Sequence, residues 1–217
     1  MSASDRRRLA DQPLDFTITA EERLADGFRP LDRLFVSHAS LDGTQRFEGV
    51  RREVLRAREA AIILPYDPNT DEIVIIRQFR IGAALKTPNA AALELPAGLL
   101  DGDEKPAVAA VRELREETGL EALATAPIFS VLTSPGLCDE VAHYFMCIVD
   151  TRGLPLVAGL ADEHEDIIPI AAPAQALITA MDEGFIANNL MVTALNWFDR
   201  KGRPVARMLS DSIETPA

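Results

Sequence analysis

Cysteine is scarce: Cys138 and Cys147 are the two among 217 residues. Two thiols in a chain of this length make no disulfide framework, and neither has a partner at zinc-site spacing. Both are expected as reduced, half-buried thiols. Basic residues are also short. Twenty-two Lys and Arg stand against 34 Asp and Glu, a formal net charge of −12, which argues against the basic surface that non-specific nucleic-acid binding needs. No apolar run approaches the roughly 18 residues that cross a membrane. Arg6, Arg7 and Arg8 near the N-terminus have no apolar stretch behind them, so no secretory signal is read there. A cytoplasmic location is expected, with the first ~12 residues frayed. Repeats and low-complexity stretches are missing too. What remains is 47% hydrophobic and 26% charged, ordinary for a soluble globular protein with a sizeable core.

Strand signals dominate the first part. Residues 15–19, 31–40 and 44–55 alternate weakly around the turn Leu41-Asp42-Gly43-Thr44. Two β-branched runs, 60–66 and 72–78, flank the turn cluster Asp67-Pro68-Asn69-Thr70 and read as a hairpin. A short strand is expected at 92–94, then a helix from Pro106 to Thr118, with Pro106 in its first turn and Gly119 as its C-terminal cap. Further strands are expected at 128–132, 142–149 and 167–170. Helices at 173–183 and about 188–200 follow, the second stopped by Gly202 and Pro204. Frequent hairpins without regular βαβ alternation favour an α+β fold, an α/β/α sandwich with a mixed sheet between helices, plus a small N-terminal β-strand domain. The segments divide as 1–57, 58–207 and a C-terminal tail, 208–217.

Residues 98 to 120 follow the spacing G-x5-E-x7-R-E-U-x-E-E-x-G-U, where U is aliphatic. Gly98, Glu104, Arg112, Glu113, Leu114, Glu116, Glu117, Gly119 and Leu120 fill every fixed position. At 3.6 residues per turn, Glu113 and Glu117 lie one turn apart on one helix face with Glu116 beside them. Ala107, Val108, Val111 and Leu114 form a roughly opposite apolar face, expected to pack on the sheet. A solvated face would dilute such carboxylates with lysines, because like charges at this spacing repel; this one does not. Hard oxygen ligands of this kind suit Mg²⁺, with Mn²⁺ as a substitute. Arg112 is the expected counter-ion of Glu116, and Gly98 allows a tight loop that turns the Ala97 carbonyl toward metal. Such a cation neutralises a diphosphate and lowers the pKa of bound water, and a general base completes the deprotonation. Glu140, Glu163 and Glu165 are candidates. The last two sit in the run Asp162-Glu163-His164-Glu165-Asp166, which composition alone reads as a solvated loop. His164 is not taken as a ligand, since Mg²⁺ prefers oxygen.

With these motifs the chain resembles the Nudix hydrolases, and within them the bacterial ADP-ribose pyrophosphatases, over nearly its whole length. Pro135, fifteen residues past Leu120, is the subgroup's mark. The stretches 50–53, 64–68, 78–81 and 160–167 are also similar. The resemblance implies that the Ala97 carbonyl, Glu113 and Glu117 are metal ligands with Glu116 close by, and that Glu165 helps hold a metal when substrate is bound. It implies Glu163 as the base, Arg52 and Arg80 as substrate contacts, Glu140 as a substrate-binding or orienting group, and Phe28 as a stacking partner for adenine. It further implies a homodimer with exchanged N-terminal strands. Arg77, where relatives carry an acid, and the run Leu137-Cys138-Asp139 depart from the subgroup at the substrate end.

The expected activity is therefore Mg²⁺-dependent hydrolysis of ADP-ribose to AMP and ribose 5-phosphate. GDP-mannose or another nucleoside diphosphate sugar is the alternative substrate, since those relatives share the Arg-Gln-Phe-Arg run at 77–80. A module that senses ADP-ribose without cleaving it is the reading from another class, and the intact Glu113, Glu116 and Glu117 speak against it. The substrate is a small molecule, and neither nucleic acid nor membrane is an expected partner.

Overall fold

The structure, a computed structural model, describes Asp5, residues 8–160 and residues 165–214. The expectation of a frayed N-terminus falls partly outside these residues. The chain divides into two units. The first takes Met1–Ala57 with Ser134–Asp139 and holds one antiparallel sheet of β1 (Phe16–Ala25), β2 (Leu31–Ala39) and β3 (Arg46–Leu55), in that order. The turn between β2 and β3 is the expected one. Asp42 accepts from the Ser40 hydroxyl (2.6 Å) and the Thr44 amide (3.1 Å), and Gly43 takes φ 69°, a left-handed conformation that suits glycine. β1 runs well past Thr19. Its continuation, Glu21-Glu22-Arg23, shows no apolar alternation, because every residue of the strand except Leu24 is exposed. Among the described residues this unit buries no apolar side chain, and the groups it does bury are Asp32, Ser37 and Ser40. Asp32 is held by Arg23 and, at 3.5 Å, by Arg56.

The second unit takes Arg58–Thr133 and Glu140–Ala217. β4 (Ala60–Asp67) is buried along its whole length, as a strand covered on both faces must be. It pairs with β5 (Glu72–Phe79) only at Tyr66↔Ile73 and Asp67↔Glu72, beside their turn. That turn ends on Asp71 at φ 55°; Tyr66 donates to its carboxylate at 2.8 Å, and Arg203 forks onto it with two bonds of 2.9 Å. Beyond the turn the strands take different partners. After the helical turn α1 (Ile81–Ala84), β6 (Ala91–Glu94) pairs with β5, and β7 (Ala97–Leu99) pairs with β4. Leu95 and Pro96 cross from one to the other.

The helix α2 (Pro106–Thr118) follows, then β8 (Ala124–Leu132), β9 (Val141–Ile148) and β10 (Ile168–Pro173). The sheet runs β10-β5-β4-β9-β8, with β4 and β9 parallel and the other pairs antiparallel. Period-two alternation feeds two cores. Ala61, Ile63, Val74, Phe145 and Cys147 meet Ala109, Ala110 and Leu114 of α2 on one face. Ile62, Leu64, Ile73, Ile75, Tyr144 and Met146 meet the C-terminal helices on the other. Those are α3 (Ala174–Asp182), α4 (Asn189–Trp197) and α5 (Arg203–Glu214). The expected mixed sheet between helices, with a separate N-terminal β unit, is the fold observed. Cys147 is fully buried rather than half-buried, and burial pushes its thiol up to about 11.

Two expectations are corrected. Gly202 and Pro204 do not stop the last helix. Residues 198–202 form a π turn that passes into α5, which runs to Glu214 and into the segment set apart as a tail. Gly202 is needed because any side chain there would run into the Phe198 ring, and Pro204, one residue into α5, does not interrupt the run. The second correction concerns the roll of α2. Val108 and Val111 are exposed, at 56% and 37%, as is Ala107. The buried positions are Ala109, Ala110, Leu114, Glu117 and Thr118. Two alanines let the helix approach the sheet closely, and the roll that seats them turns the carboxylates inward.

Candidate active site

The crossing segment between β6 and β7 organises the site. The amide of Ala97 donates to Glu117 at 2.7 Å. At Gly98, a Cβ would occupy the space of the Glu113 carboxylate. Gly98 has no positive φ, so the requirement is for room rather than for the tight turn expected from sequence. Glu117 is 3% exposed. Burial, joined by the charges of Glu113 and Glu165, pushes its pKa up to about 8 against the pull of the Ala97 amide and Arg80. Burial likewise raises Glu113, with Arg112 opposing.

Arg112 does more than pair with Glu116. It reaches Glu116 at 3.0 Å and Glu113 at 2.6 Å, forks onto Glu104 at 3.1 and 2.9 Å, and donates to the Leu99 carbonyl at 3.2 Å. The Glu104 contact is the largest of several that raise its pKa. Glu104 is lowered by Arg112 in turn, and it also accepts from the Asp101 amide at 3.2 Å. The first glutamate of the box is therefore an anchor for the arginine, a role its spacing did not reveal.

Glu165 enters beside the box. Its carboxylate accepts from the Leu160 amide at 3.1 Å, the Gly159 amide donates to the Glu116 carbonyl at 3.2 Å, and its charge is felt by Glu113, Glu117 and Arg80. Glu163, the expected base, lies outside the described residues. Arg80 caps α1 and forks onto Glu94. Burial works against its charge, and Glu94, Glu117 and Glu165 outweigh it, so the guanidinium is raised. Glu140 accepts from the Thr133 hydroxyl at 2.9 Å. Phe28 and Arg52 belong to the first unit. Phe28 is 82% exposed, with the Arg29 guanidinium 5.7 Å from its ring centre. Arg52 is exposed on β3 and donates to the Arg51 carbonyl at 2.9 Å.

Glu113, Glu116, Glu117, Glu165, Ala97, Arg80 and Arg112 are thus brought into one neighbourhood of the second unit. Among the described residues no three His, Cys, Asp or Glu side chains converge on a single point; Arg112 and the Ala97 amide each hold carboxylate oxygens of the cluster. The donor set nevertheless fits a hard divalent cation: all oxygen and partly buried, with Glu113 and Glu117 raised by burial. An open depression of about 800 Å³ lies on the outward side of α2, lined by Val108, Val111, Arg115 and Leu160. It borders the cluster through Arg112 and Glu116 but is lined by neither Glu113 nor Glu117.

Fold and box together define a class, and residues 56–187 match the NUDIX domain; the chain belongs to this family and is a Nudix hydrolase. It is similar to the ADP-ribose pyrophosphatase of Escherichia coli (strain K12), 37% identical over 183 residues, covering 84% of this chain and 87% of that protein. It is 35% identical over 186 residues to the ADP-ribose pyrophosphatase of Haemophilus influenzae, covering 84% and 85%. The GDP-mannose pyrophosphatase of Escherichia coli O1:K1 / APEC is 31% identical over 185 residues, covering 83% and 93%. Among solved structures, an ADP compounds hydrolase shares the fold with a TM-score of 0.64 at 23% identity, covering 89% of this chain and 100% of that one.

Proposed function

We propose that this chain is a Mg²⁺-dependent diphosphatase, with Mn²⁺ as a substitute, that hydrolyses ADP-ribose to AMP and ribose 5-phosphate. The observation that carries the diphosphatase reading is the pair Glu113 and Glu117. They are turned inward under the β6–β7 crossing and held at raised pKa by burial, with Arg112 opposing at Glu113 and Arg80 within electrostatic reach of Glu117. Glu113 has Arg112 beside it, whereas Glu117 is buried with no cationic hydrogen-bond partner among the described residues, and a buried acid in such a place costs stability without a cation to match it. The Ala97 carbonyl, Glu113, Glu116, Glu117 and Glu165 would hold the cation, which when bound supplies charge neutralisation and Lewis acidity at the diphosphate. Arg112 fixes Glu113 and Glu116. Arg80 offers a guanidinium to phosphate oxygens. Glu163 takes the proton of the attacking water, and Glu140 orients the substrate.

The choice of ADP-ribose rests on the relatives at 35–37% identity. GDP-mannose is the second reading, supported by a relative at 31%. Incubation with ADP-ribose, GDP-mannose and other nucleoside diphosphate sugars, with product analysis, tests both. The expected outcome is AMP and ribose 5-phosphate with the highest kcat/KM on ADP-ribose. A clear preference for GDP-mannose replaces the first reading with the second. We further propose a cytoplasmic homodimer in which exchanged N-terminal strands bring Phe28 and Arg52 to the substrate. No helix among the described residues is long and apolar enough to cross a membrane.

A further inference from the structure

Glu94 ends β6 and is 8% exposed. Three side chains donate to it. Arg80 reaches it through Nε at 3.0 and 3.1 Å and through Nη2 at 2.8 Å, Gln78 through Nε2 at 3.2 Å, and Asn188 through Nδ2 at 3.0 Å. Each donor is itself anchored. Gln78 and Arg80 stand at the end of β5 and just past it. Asn188 caps α4, its Oδ1 accepting from the Met191 amide at 2.9 Å. The pair is buried on the Glu94 side, but the Arg80 side chain is 48% exposed, and an ion pair open to solvent on one side contributes little to stability. What this arrangement does produce is a guanidinium fixed in place. Nε and Nη2 are engaged by Glu94, while Nη1 makes no hydrogen bond among the described residues. The charge they carry is felt by Glu117 and Glu165. The carboxylate also lies three residues before Ala97, so one short segment sets both the arginine and the box carboxylates.

We propose that Glu94 is a positioning residue that pre-organises Arg80 for the diphosphate of the substrate, with Gln78 and Asn188 holding the carboxylate still. This rests on the diphosphatase reading. A planar guanidinium recognises phosphate oxygens by its fixed fork, and an arginine ordered before binding does not lose that freedom on binding. Releasing it is expected to weaken affinity roughly three- to tenfold. The opposite sign is the informative alternative: a carboxylate that merely competes with phosphate for Arg80 would, on removal, tighten binding.

The test uses the full chain with Mg²⁺. ADP binding is measured by calorimetry and ADP-ribose turnover by steady-state kinetics, in wild type, Glu94→Gln, Arg80→Ala and the double variant. Glu94→Gln is expected to weaken ADP and raise KM by roughly three- to tenfold, with kcat changed less than KM. Arg80→Ala is expected to do at least as much, and the double variant no more than Arg80→Ala alone, since residues acting as a unit are not additive. Unchanged or tighter ADP binding in Glu94→Gln, or a double variant whose loss is the product of the two single losses, overturns the proposal. So does a wild type that does not bind ADP. If wild type binds ADP but leaves ADP-ribose intact, the functional reading fails while the calorimetric cycle still decides the role of Glu94. Should Glu94→Gln not fold, Glu94→Asp keeps the charge one methylene short of its donors; wild-type affinity in that variant overturns the proposal equally.

Discussion

A methyl group added at Gly98 has no place except the one the Glu113 carboxylate holds. The obstruction is the far end of a flexible side chain, so the backbone has no reason to move and Glu113 does. Gly98→Ala is therefore expected to melt within a few degrees of wild type while kcat/KM falls by on the order of 10²-fold, the effect of roughly an ångström of misplacement at a reacting centre. A thermal melt beside a Mg²⁺ titration of activity checks this. A variant that loses both stability and activity together would make Gly98 a folding residue instead. Glu163 has a simpler expectation. Glu163→Gln should lose about 10²- to 10⁴-fold in kcat, the usual contribution of a general base, while KM and the Mg²⁺ dependence stay near wild type. If Glu140→Gln carries that loss and Glu163→Gln does not, the base is Glu140. The residue types of the box were readable from spacing, but their partners were not. Glu104 anchoring Arg112, and Glu94 anchoring Arg80 from outside the box, depend on contacts between elements 8 and 14 residues apart.

The helix α2 carries the box carboxylates and shows where periodicity misleads. Periodicity put Ala107, Val108, Val111 and Leu114 on the buried face, and of these the sheet takes only Leu114, together with Ala109 and Ala110. Small residues allow a close approach, and a helix with alanines on several faces leaves its roll open to the fit against the sheet. β1 was hidden beyond Thr19 for the related reason that an exposed strand has no apolar alternation to read. Strands buried on both faces, β4 and β9, were plain as apolar runs. Rolling Glu117 inward has a measurable consequence. Its pKa stands at about 8 when folded, against 4.5 for the free side chain. Between these values the folded chain keeps a proton that the unfolded chain has released, so the metal-free protein loses stability as pH rises from about 5 to 8. In chelator, Tm is expected to fall by several degrees across that window. Glu117→Gln, which has nothing to titrate there, should show a flatter profile. Mg²⁺ should restore more stability at pH 8 than at pH 5, because it binds the ionised form. Equal pH dependence in wild type and Glu117→Gln would show that Glu117 is ionised throughout and that its burial does not raise its pKa.

At the scale of the molecule, the first unit poses a problem the second does not. Three antiparallel strands of nine or ten residues with no buried apolar side chain among the described residues are too little sheet to stand alone in water without another surface. Phe16 (61% exposed), Ile18 (48%) and Phe28 (82%) remain open. A second copy of the chain is the proposed cover, in a two-fold dimer, and light scattering should return twice the chain mass of 23.7 kDa. The proposal ties assembly to chemistry through Phe28. Adenine stacking on an aromatic face is worth about 1–3 kcal/mol where measured in nucleic-acid binders, so Phe28→Ala should raise KM for ADP-ribose more than it lowers kcat. If Phe28 of one subunit serves the carboxylates of the other, Phe28→Ala and Glu117→Gln subunits complement each other. Random exchange at equal amounts makes half the dimers mixed, and each mixed dimer has one site with both defects and one with none. About a quarter of all sites are then wild type. Assayed at ADP-ribose well below KM, the mixture should rise above the mean of its two parents toward that quarter. A monomer at working concentration, or no gain after subunit exchange has been verified by mass-tagged chains, removes the shared site and leaves Phe28 and Arg52 to act, if they act, within their own chain.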